Sequence, residues 1–237
     1  MTVLVVAAHP DDEVLGCGGT IRALANAGER ITVLILGEGI TSRYTNRCDA
    51  PQEEINELHN RAQQADAVLG VEHTEIESFP DNRFDTVPLI EIIKVIEAVI
   101  EAETPHTIFT HHAGDLNIDH AITNRAVLTA TRPTSNQTVK EVYSFEIPSA
   151  TEWVFDQIKP IFTPTVFHDI THTLNAKLNA MAIYESESRA YPHPRSHDAL
   201  SSRARIWGSV VGLTFAEPFV CIRRVIPESH MTGIGKT

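Results

Sequence analysis

The sequence predicts an α/β protein with a Rossmann-like three-layer fold, in which a mostly parallel sheet carries helices on both faces. Two observations support this prediction. Short apolar runs rich in β-branched residues alternate along the chain with segments in which apolar residues recur three and four positions apart. Because strand–helix–strand units of this length join parallel strands, their repetition places helices on the faces of one sheet.

Each element before residue 148 has a local justification. Strands are predicted where β-branched and apolar residues run together, at residues 2–8, 30–36, 71–79, 106–110 and 139–147. Helices are predicted where the apolar spacing is helical, at residues 14–27, 51–70, 87–102 and 120–131. Pro51 suits the first turn of its helix and Gly70 suits the end of the same helix, while Gly28 suits the end of the helix before it.

The rest of the chain contains further helices and a last strand. From about residue 162 we expect a helix around "NAKLNAMAIYESES", a loop "RAYPHPRSHDALSS", and a final helix and strand through "RIWGSVVGLTFAEPFVCIRR". The sequence contains no linker, repeat or low-complexity segment. We therefore expect a single domain over residues 1–237, in which residues 162–237 either continue the domain or cap its active-site rim.

Composition excludes several classes of protein. Hydrophobic residues make up 42% of the sequence and charged residues 21%, as in ordinary globular proteins. No apolar run approaches the roughly 18 residues of a membrane span, so we expect no span. The net charge is −12 and the longest basic run is Arg223–Arg224, which argues against nucleic acid as a partner.

The cysteines and the first residues indicate a compartment. Cys17, Cys48 and Cys221 are odd in number and far apart, which is typical of reduced thiols rather than of a disulfide framework. The sequence enters a strand-like run directly after Met1, without the pattern of a secretory signal. We therefore expect a cytoplasmic protein, and the sequence leaves a homo-oligomer open.

The stretch "AAHPDDEVLGCGGT" at residues 7–20 brings a histidine and three acids together at a strand-to-helix turn. Buried like charges are costly unless a cation offsets them. His9 and Asp12 are three residues apart across the turn, so their side chains can converge on one metal ion. A third ligand is expected from another loop at the carboxyl edge of the sheet. The segment "HHAGDLNIDH" offers His111, His112 and His120, and spacing alone does not choose among them.

These motifs resemble a known family. "AHPDDE" after the first strand, "GCGGTI" beyond it and the "DH" pair after the fourth strand are similar to the PIG-L/LmbE family of zinc-dependent N-acetylglucosaminyl-type deacetylases. The segments "PDNRFD", "YESES", "HPRS" and "AEPF" extend the resemblance over most of the chain. The resemblance implies removal of an N-acetyl group from an amino sugar or a sugar-containing small molecule, with an N-acetylated small molecule as the partner.

The resemblance also implies roles for individual residues. His9, Asp12 and His120 match the family's metal ligands, and Asp11 matches its general base. Zn²⁺ is the implied cofactor, with Fe²⁺ or another divalent metal as the alternative. The implied chemistry is attack on the amide by a water molecule that the metal activates and Asp11 deprotonates.

One position departs from the family pattern. Many relatives have a histidine three residues before the last ligand, where this chain has Asn117. The general acid and the oxyanion partner therefore stay open, and candidates for these roles or for supporting the ligands are Glu13, His112, Asp115, Asn117, Asp119 and His197. Asp119, or a neighbouring carboxylate, is expected to orient His120. Candidates for contacts with a polar substrate are Arg43, Asp81 and Arg83.

Other interpretations remain. The enzyme could hydrolyse a non-sugar N-acyl substrate, because residues outside the metal ligands determine the substrate. A non-catalytic metal- or nucleotide-binding module is a second alternative, in which "GCGG" would approach a phosphate and Glu38 would bind a ribose. The glycine spacing does not match a dinucleotide fingerprint, and close packing of the helix on the sheet is the simpler explanation of these glycines.

Overall fold

The computed structural model of the protein describes residues 1–135 and 137–226. The strands within them are β1 (Thr2–Ala7), β2 (Arg30–Gly37), β3 (His73–Phe79), β4 (Thr107–His111), β5 (Glu141–Phe145), β6 (Val166–Asp169) and β7 (Ala216–Arg224). The α-helices are α1 (Asp12–Asn26), α2 (Gln52–Leu69), α3 (Leu89–Glu103), α4 (Ile118–Ala130), α5 (Leu174–Ile183) and α6 (His197–Val211). None of the helices described here is both long and apolar enough to cross a membrane.

The strands form one mixed sheet in the order β3-β2-β1-β4-β5-β7-β6. The pairs from β3 through β5 are parallel, whereas β7 is antiparallel to both β5 and β6. The prediction of a mostly parallel sheet is confirmed. The strand order reverses between β1 and β4, and the carboxyl ends of these two strands therefore border a crevice of the kind in which α/β proteins bind ligands.

Two apolar cores cover the two faces of the sheet. On one face, apolar side chains of α1, α2, α5 and α6 pack together, including Leu15, Leu58, Leu178 and Leu200. On the other face, α3 and α4 contribute a separate cluster that includes Ile96, Val127 and the strand residue Leu34. Helices on both faces of one sheet make the predicted three-layer fold, and that prediction is confirmed.

The C-terminal third differs in detail from the sequence prediction. The short strand β6 was not predicted, and α5 ends at Ile183 rather than extending through "YESES". Helix α6 begins at His197, before the predicted position, because the Ser196 hydroxyl caps it by accepting a hydrogen bond from the Ala199 amide at 3.1 Å. Residues 184–196 are thus a long connection that reaches the carboxyl edge of the sheet. Residues 227–237, part of the predicted cap region, lie outside the described residues.

The "GCGG" glycines allow α1 to pack closely on its neighbours. A Cβ atom at Gly16 would lie 2.3 Å from the Phe145 ring, and one at Gly19 would lie 2.8 Å from Ile170. Helix α1 is kinked at Cys17, and the carboxylate of Glu217 on β7 accepts hydrogen bonds from the Gly19 and Thr20 amides beyond the kink, at 3.0 and 2.7 Å. The "AEPF" glutamate therefore caps the second half of α1.

Asp66 on α2 gives a test of buried charge in this fold. Its carboxyl group is buried, accepts one hydrogen bond from the Thr74 hydroxyl at 2.7 Å, and has its Oδ1 atom unpaired among the described residues. Burial raises the pKa of Asp66 from 3.8 to about 7. Because the folded state keeps a proton that the unfolded state releases, this group lowers stability progressively as the pH rises from about 4 to about 7.

We expect Asp66→Asn to reduce this pH dependence. The advantage of the variant over the wild-type protein in the free energy of unfolding should grow by about 2.5 kcal/mol between pH 5 and pH 8. Urea unfolding at both pH values measures the difference, with the exposed Asp49→Asn as the control. An equal difference between wild type and Asp66→Asn at the two pH values would contradict the expectation.

Candidate active site

The two loops predicted to meet at the carboxyl edge of the sheet do so. The first follows β1 and contains His9, Asp11 and the start of α1. The second follows β4 and leads into α4, where the Asn117 side chain caps the helix by accepting a hydrogen bond from the Asp119 amide at 2.9 Å. Because β1 and β4 are adjacent parallel strands, both loops leave the sheet at the same carboxyl edge, one on each side of the reversal in strand order.

Three side chains from these loops converge on one point. The Oδ2 atom of Asp12 lies 3.2 Å from Nδ1 of His9 and 3.3 Å from Nε2 of His120. The donor atoms of the three residues lie within 4.8 Å of one another. Asp12 and His120 are buried, and His9 is partly exposed. Two imidazole nitrogens and one carboxylate are a donor set that suits zinc and other first-row divalent metals.

The outer nitrogen of each histidine contacts a separate carboxylate. His9 Nε2 lies 3.0 Å from Asp119 Oδ2 and 3.4 Å from Asp81 Oδ1. His120 Nδ1 lies 3.1 Å from Asp115 Oδ1, and the Thr151 hydroxyl holds the other oxygen of Asp115 at 2.6 Å. A proton on each outer nitrogen leaves the inner nitrogen with a free lone pair that faces Asp12. The residues therefore fit a divalent metal. The carboxylate beside His120 is Asp115, whereas Asp119 faces His9.

The other two histidines of the second loop are engaged elsewhere. His111 Nε2 accepts a hydrogen bond from the Ala8 amide at 2.8 Å, and its ring stacks on that of His120 with 4.0 Å between the centroids. His112 Nε2 lies 2.7 Å from the Pro160 carbonyl oxygen. Since the lone pair of His111 is already used and His112 contacts a different loop, His120 is the histidine whose free nitrogen faces Asp12.

The electrostatics of the group favour positive charge. Burial alone would raise the pKa of Asp12, but His120 and His111 outweigh it and hold that pKa well below its usual value. Burial would lower the pKa of His120, but Asp12 and Asp115 raise it to about 9. The Asp12 carboxylate therefore favours positive charge at His120, and a divalent cation would supply that charge in place of a proton.

Asp11 adopts a backbone conformation that is uncommon for a residue with a side chain. Its φ is 106°, in the left-handed region, and its amide donates to Glu13 Oε2 at 3.1 Å. The other oxygen of Glu13 accepts a hydrogen bond from the Tyr184 hydroxyl at 2.7 Å, and both side chains are fully buried. Glu13 and Tyr184 thus stabilise the turn that contains Asp11 and Asp12. Tyr184, which the sequence analysis did not count among the site candidates, belongs to this support.

The Asp11 carboxylate contacts Arg195. Arg195 Nη1 donates to Asp11 Oδ2 at 2.6 Å. Burial raises the pKa of Asp11 to about 8, against the opposing effect of Arg195. A carboxyl group with a pKa near neutrality can take up and release a proton under ordinary conditions, as a general base must.

We refer to His9, Asp12 and His120 together as the metal-type group. A pocket of about 170 Å³ opens beside this group, and its lining is mostly polar. Of the predicted site residues, those that line it are His9, Asp11, Arg43, Asp81 and Asn117. Two predicted candidates lie elsewhere. Arg83 is exposed beyond the pocket lining, and His197 is at the exposed start of α6, where its nearest charged partner is Asp198 at 3.8 Å. His112 likewise faces Pro160 rather than the pocket.

Two hydrogen-bonded chains of side chains border the pocket. In the first, Ser42 donates to Asp81 at 2.6 Å, Asn82 donates to Ser42 at 3.1 Å, and Asn117 donates to Asn82 at 2.9 Å. In the second, Glu187 pairs with Arg43 at 2.5 Å and lies 3.7 Å from Arg195. Sequence reasoning missed Ser42, Asn82, Glu187 and Arg195. The motifs "YESES" and "HPRS" contain the last two, but spacing does not show where these segments fold.

The nucleotide-binding alternative is not favoured by these contacts. Both oxygens of Glu38 are occupied, since Arg47 donates to each of them at 2.7 Å and the Thr41 hydroxyl donates to Oε1 at 2.7 Å. Gly16 faces the Phe145 ring rather than an open crevice. Glu38 therefore braces its own loop, and the glycines serve helix packing.

The fold and the site together define an α/β enzyme with a histidine–aspartate metal-type group at the carboxyl edge of its sheet. The family model described as "PIG-L: GlcNAc-PI de-N-acetylase" matches residues 4–131. This stretch is more than half of the chain and contains His9, Asp12 and His120. The chain belongs to the PIG-L family and is an N-deacetylase, as the sequence motifs predicted.

Several similar proteins are named as deacetylases. The chain is 26% identical over 190 residues to the uncharacterized deacetylase YaiS of Escherichia coli, covering 78% of this chain and 90% of that protein. It is 26% identical over 195 residues to a probable N-acetyl-alpha-D-glucosaminyl L-malate deacetylase 2 of Bacillus cereus, covering 79% and 84%. The structure of N,N'-diacetylchitobiose deacetylase from Pyrococcus horikoshii has the same fold, with a TM-score of 0.74, 18% identity and coverage of 97% and 88%.

Proposed function

We propose that the protein is a zinc-dependent N-deacetylase that acts on an amino sugar or a sugar-containing small molecule. The observation that carries the proposal is the convergence of His9, Asp12 and His120 beside a polar pocket, with the Asp11 carboxylate at its edge. A structural zinc site is closed by four protein ligands, whereas three ligands next to an open pocket are typical of a catalytic site.

In the proposed reaction His9, Asp12 and His120 hold the metal. When bound, zinc would lower the pKa of a water molecule and polarise the amide carbonyl. Asp11 accepts a proton from the water molecule whose oxygen forms the new bond to the carbonyl carbon. When the carbon–nitrogen bond breaks, Asp11 returns this proton to the leaving nitrogen. The products are acetic acid and the free amine, which exchange the remaining proton to become acetate and an ammonium group, so the proton count balances without another acid.

This assignment of the proton to Asp11 follows from where the other candidates lie. His112 and His197 face away from the pocket, and Asp115 is occupied by His120 and Thr151. Asn117 lines the pocket and has no proton to transfer, although its amide can donate a hydrogen bond to the substrate. We therefore propose Asp11 as both base and acid, and Asn117 as a contact for the substrate.

The lining of the pocket supports a hydroxylated substrate. Ser42, Asp81, Asn82 and Asn117 offer hydrogen-bond donors and acceptors to the pocket, and Arg43 also lines it. Such groups match sugar hydroxyls better than an apolar chain. The named substrates of two relatives, an N-acetylglucosaminyl malate and diacetylchitobiose, agree in class with this proposal.

We also propose that the chain works as one deacetylase domain. Strands β6 and β7 belong to the same sheet as β1 to β5, and Glu187 and Arg195 come to the pocket from the connection between α5 and α6. The C-terminal third therefore completes the pocket as well as the sheet.

Metal analysis and a substrate panel test the function. We expect about one zinc per chain, loss of activity after chelation, and recovery with Zn²⁺ or Fe²⁺. The panel consists of N-acetylglucosamine, diacetylchitobiose, N-acetylglucosaminyl malate and the non-sugar amide N-acetyl-lysine, with the released amine measured fluorimetrically. Activity confined to N-acetyl-lysine would overturn the sugar assignment. A protein that binds no divalent metal and hydrolyses none of the four would overturn the proposed function.

A further inference from the structure

Arg195 makes a direct side-chain contact with Asp11 although 184 residues separate them in the sequence. Its Nη1 atom donates to Asp11 Oδ2 at 2.6 Å, and its Nε atom donates to the Ser149 hydroxyl at 2.9 Å. The side chain is 21% exposed, and Glu187 lies 3.7 Å away. Two directed hydrogen bonds from one planar group fix the orientation of the guanidinium.

The two oxygens of Asp11 have different surroundings. Among the described residues, Arg195 is the one side chain that hydrogen-bonds this carboxylate, and it does so at Oδ2. Oδ1 has no hydrogen-bond partner in the same part of the chain, and Asp11 lines the pocket. One oxygen is therefore anchored and the other is available to a water molecule.

The backbone of Asp11 adds to this arrangement. The turn has a left-handed φ of 106° and is held by the contact of the Asp11 amide with Glu13. Holding the backbone leaves the rotation of the short side chain undetermined, because the carboxylate can still turn about its own bonds. The contact with Arg195 removes this freedom.

Resting on the proposed function, we propose that Arg195 is a positioning residue, which anchors one oxygen of the Asp11 carboxylate and so directs the other to the attacking water. Ser149 keeps the guanidinium in place through its Nε atom. Lysine cannot reproduce this role fully, since an ammonium group lacks the planar arrangement of donors that reaches Asp11 and Ser149 at once.

The test compares Arg195→Gln and Arg195→Lys with wild type, each loaded with zinc. We expect Arg195→Gln to lower kcat about 100-fold, the scale of loss for a misplaced catalytic group. KM should stay within about threefold and metal content should not change, because Arg195 does not contact the metal ligands in this arrangement. Arg195→Lys should fall between the two, and guanidinium ion added to Arg195→Ala should restore part of kcat.

Arg189→Gln is the matched control, because Arg189 lies in the same loop, is exposed and donates to the carbonyl groups of Ser186 and Ser188. It should retain wild-type kcat and KM. An unchanged kcat in Arg195→Gln would overturn the proposal. A raised KM with unchanged kcat would also overturn it, since Arg195 would then bind substrate rather than position Asp11.

Crystal structures of wild type and Arg195→Gln give a readout that does not depend on turnover. We expect the Asp11 carboxylate to rotate away from its wild-type orientation while His9, Asp12 and His120 stay in place. An unmoved carboxylate would overturn the proposal even if kcat fell. If the wild-type enzyme hydrolysed no amide, the proposed function would fail, and the orientation of Asp11 in the two crystals would still decide the positioning role.

Discussion

Asp11→Asn is expected to retain one metal ion per chain and to lose nearly all turnover. Asparagine is almost the same size as aspartate and can still accept the hydrogen bond from Arg195, so the turn at residue 11 should survive. It cannot accept a proton from water, however. Loss of a general base lowers kcat by about 100-fold to 10,000-fold, and we expect about 1,000-fold here.

Metal analysis and steady-state kinetics on the same preparation separate the two parts of this prediction. Asp198→Asn, at the exposed start of α6, is the control for a neutralised aspartate and should behave as wild type. Loss of metal together with activity in Asp11→Asn would assign Asp11 to the metal rather than to the proton. Full activity would remove the general base from the proposed mechanism.

His120→Ala is expected to abolish stable metal binding. Two donors, His9 and Asp12, remain at the end of β1, and both come from the same short turn. The loss of a ligand should exceed the 10-fold to 100-fold loss of affinity that follows removal of a residue supporting a ligand. We therefore expect a loss of more than about 100-fold in zinc affinity, measured by competition with a chromophoric chelator.

Asp115→Asn tests the same assignment with a smaller expected loss of zinc affinity. The Asp115 carboxylate lies 3.1 Å from His120 Nδ1, and its contact with the metal-type group is through this histidine ring. Its replacement should weaken zinc binding about 10-fold to 100-fold, less than His120→Ala. His73→Ala, an exposed histidine on β3, is the control. A smaller effect of His120→Ala than of Asp115→Asn would contradict the assignment of His120 as a ligand.

How far the sequence predicted the site depended on the distance between the residues concerned. His9, Asp11 and Asp12 occupy one turn between β1 and α1, and a strand-to-helix turn constrains where residues three apart can point. Local reasoning therefore identified them. His111, His112 and His120 could not be separated by spacing, since the first ends β4 and the other two follow it closely. The resemblance to the family selected His120, and the contacts of His111 with Ala8 and of His112 with Pro160 agree with that selection.

The residues around the metal-type group were predicted less well from the sequence. Asp119 or a neighbouring carboxylate was expected to orient His120, and the carboxylate beside His120 is the neighbouring Asp115, whereas Asp119 lies beside His9. Arg83 was a candidate for substrate contact and His197 for the general acid or oxyanion partner, and both are exposed residues outside the lining of the pocket. A side chain one residue further along a loop or helix turn points in a different direction, and sequence spacing alone does not resolve this difference.

The sequence by itself determined the alternation of strands and helices, the mostly parallel sheet, and the turn that presents His9, Asp11 and Asp12. These features depend on apolar periodicity and on residues adjacent in the chain. The tertiary structure alone decided that Arg195 and Tyr184 reach this turn, and that Glu217 caps the kinked helix α1. Contacts between residues more than 150 positions apart depend on how the helices pack on the sheet, which no local pattern in the sequence contains.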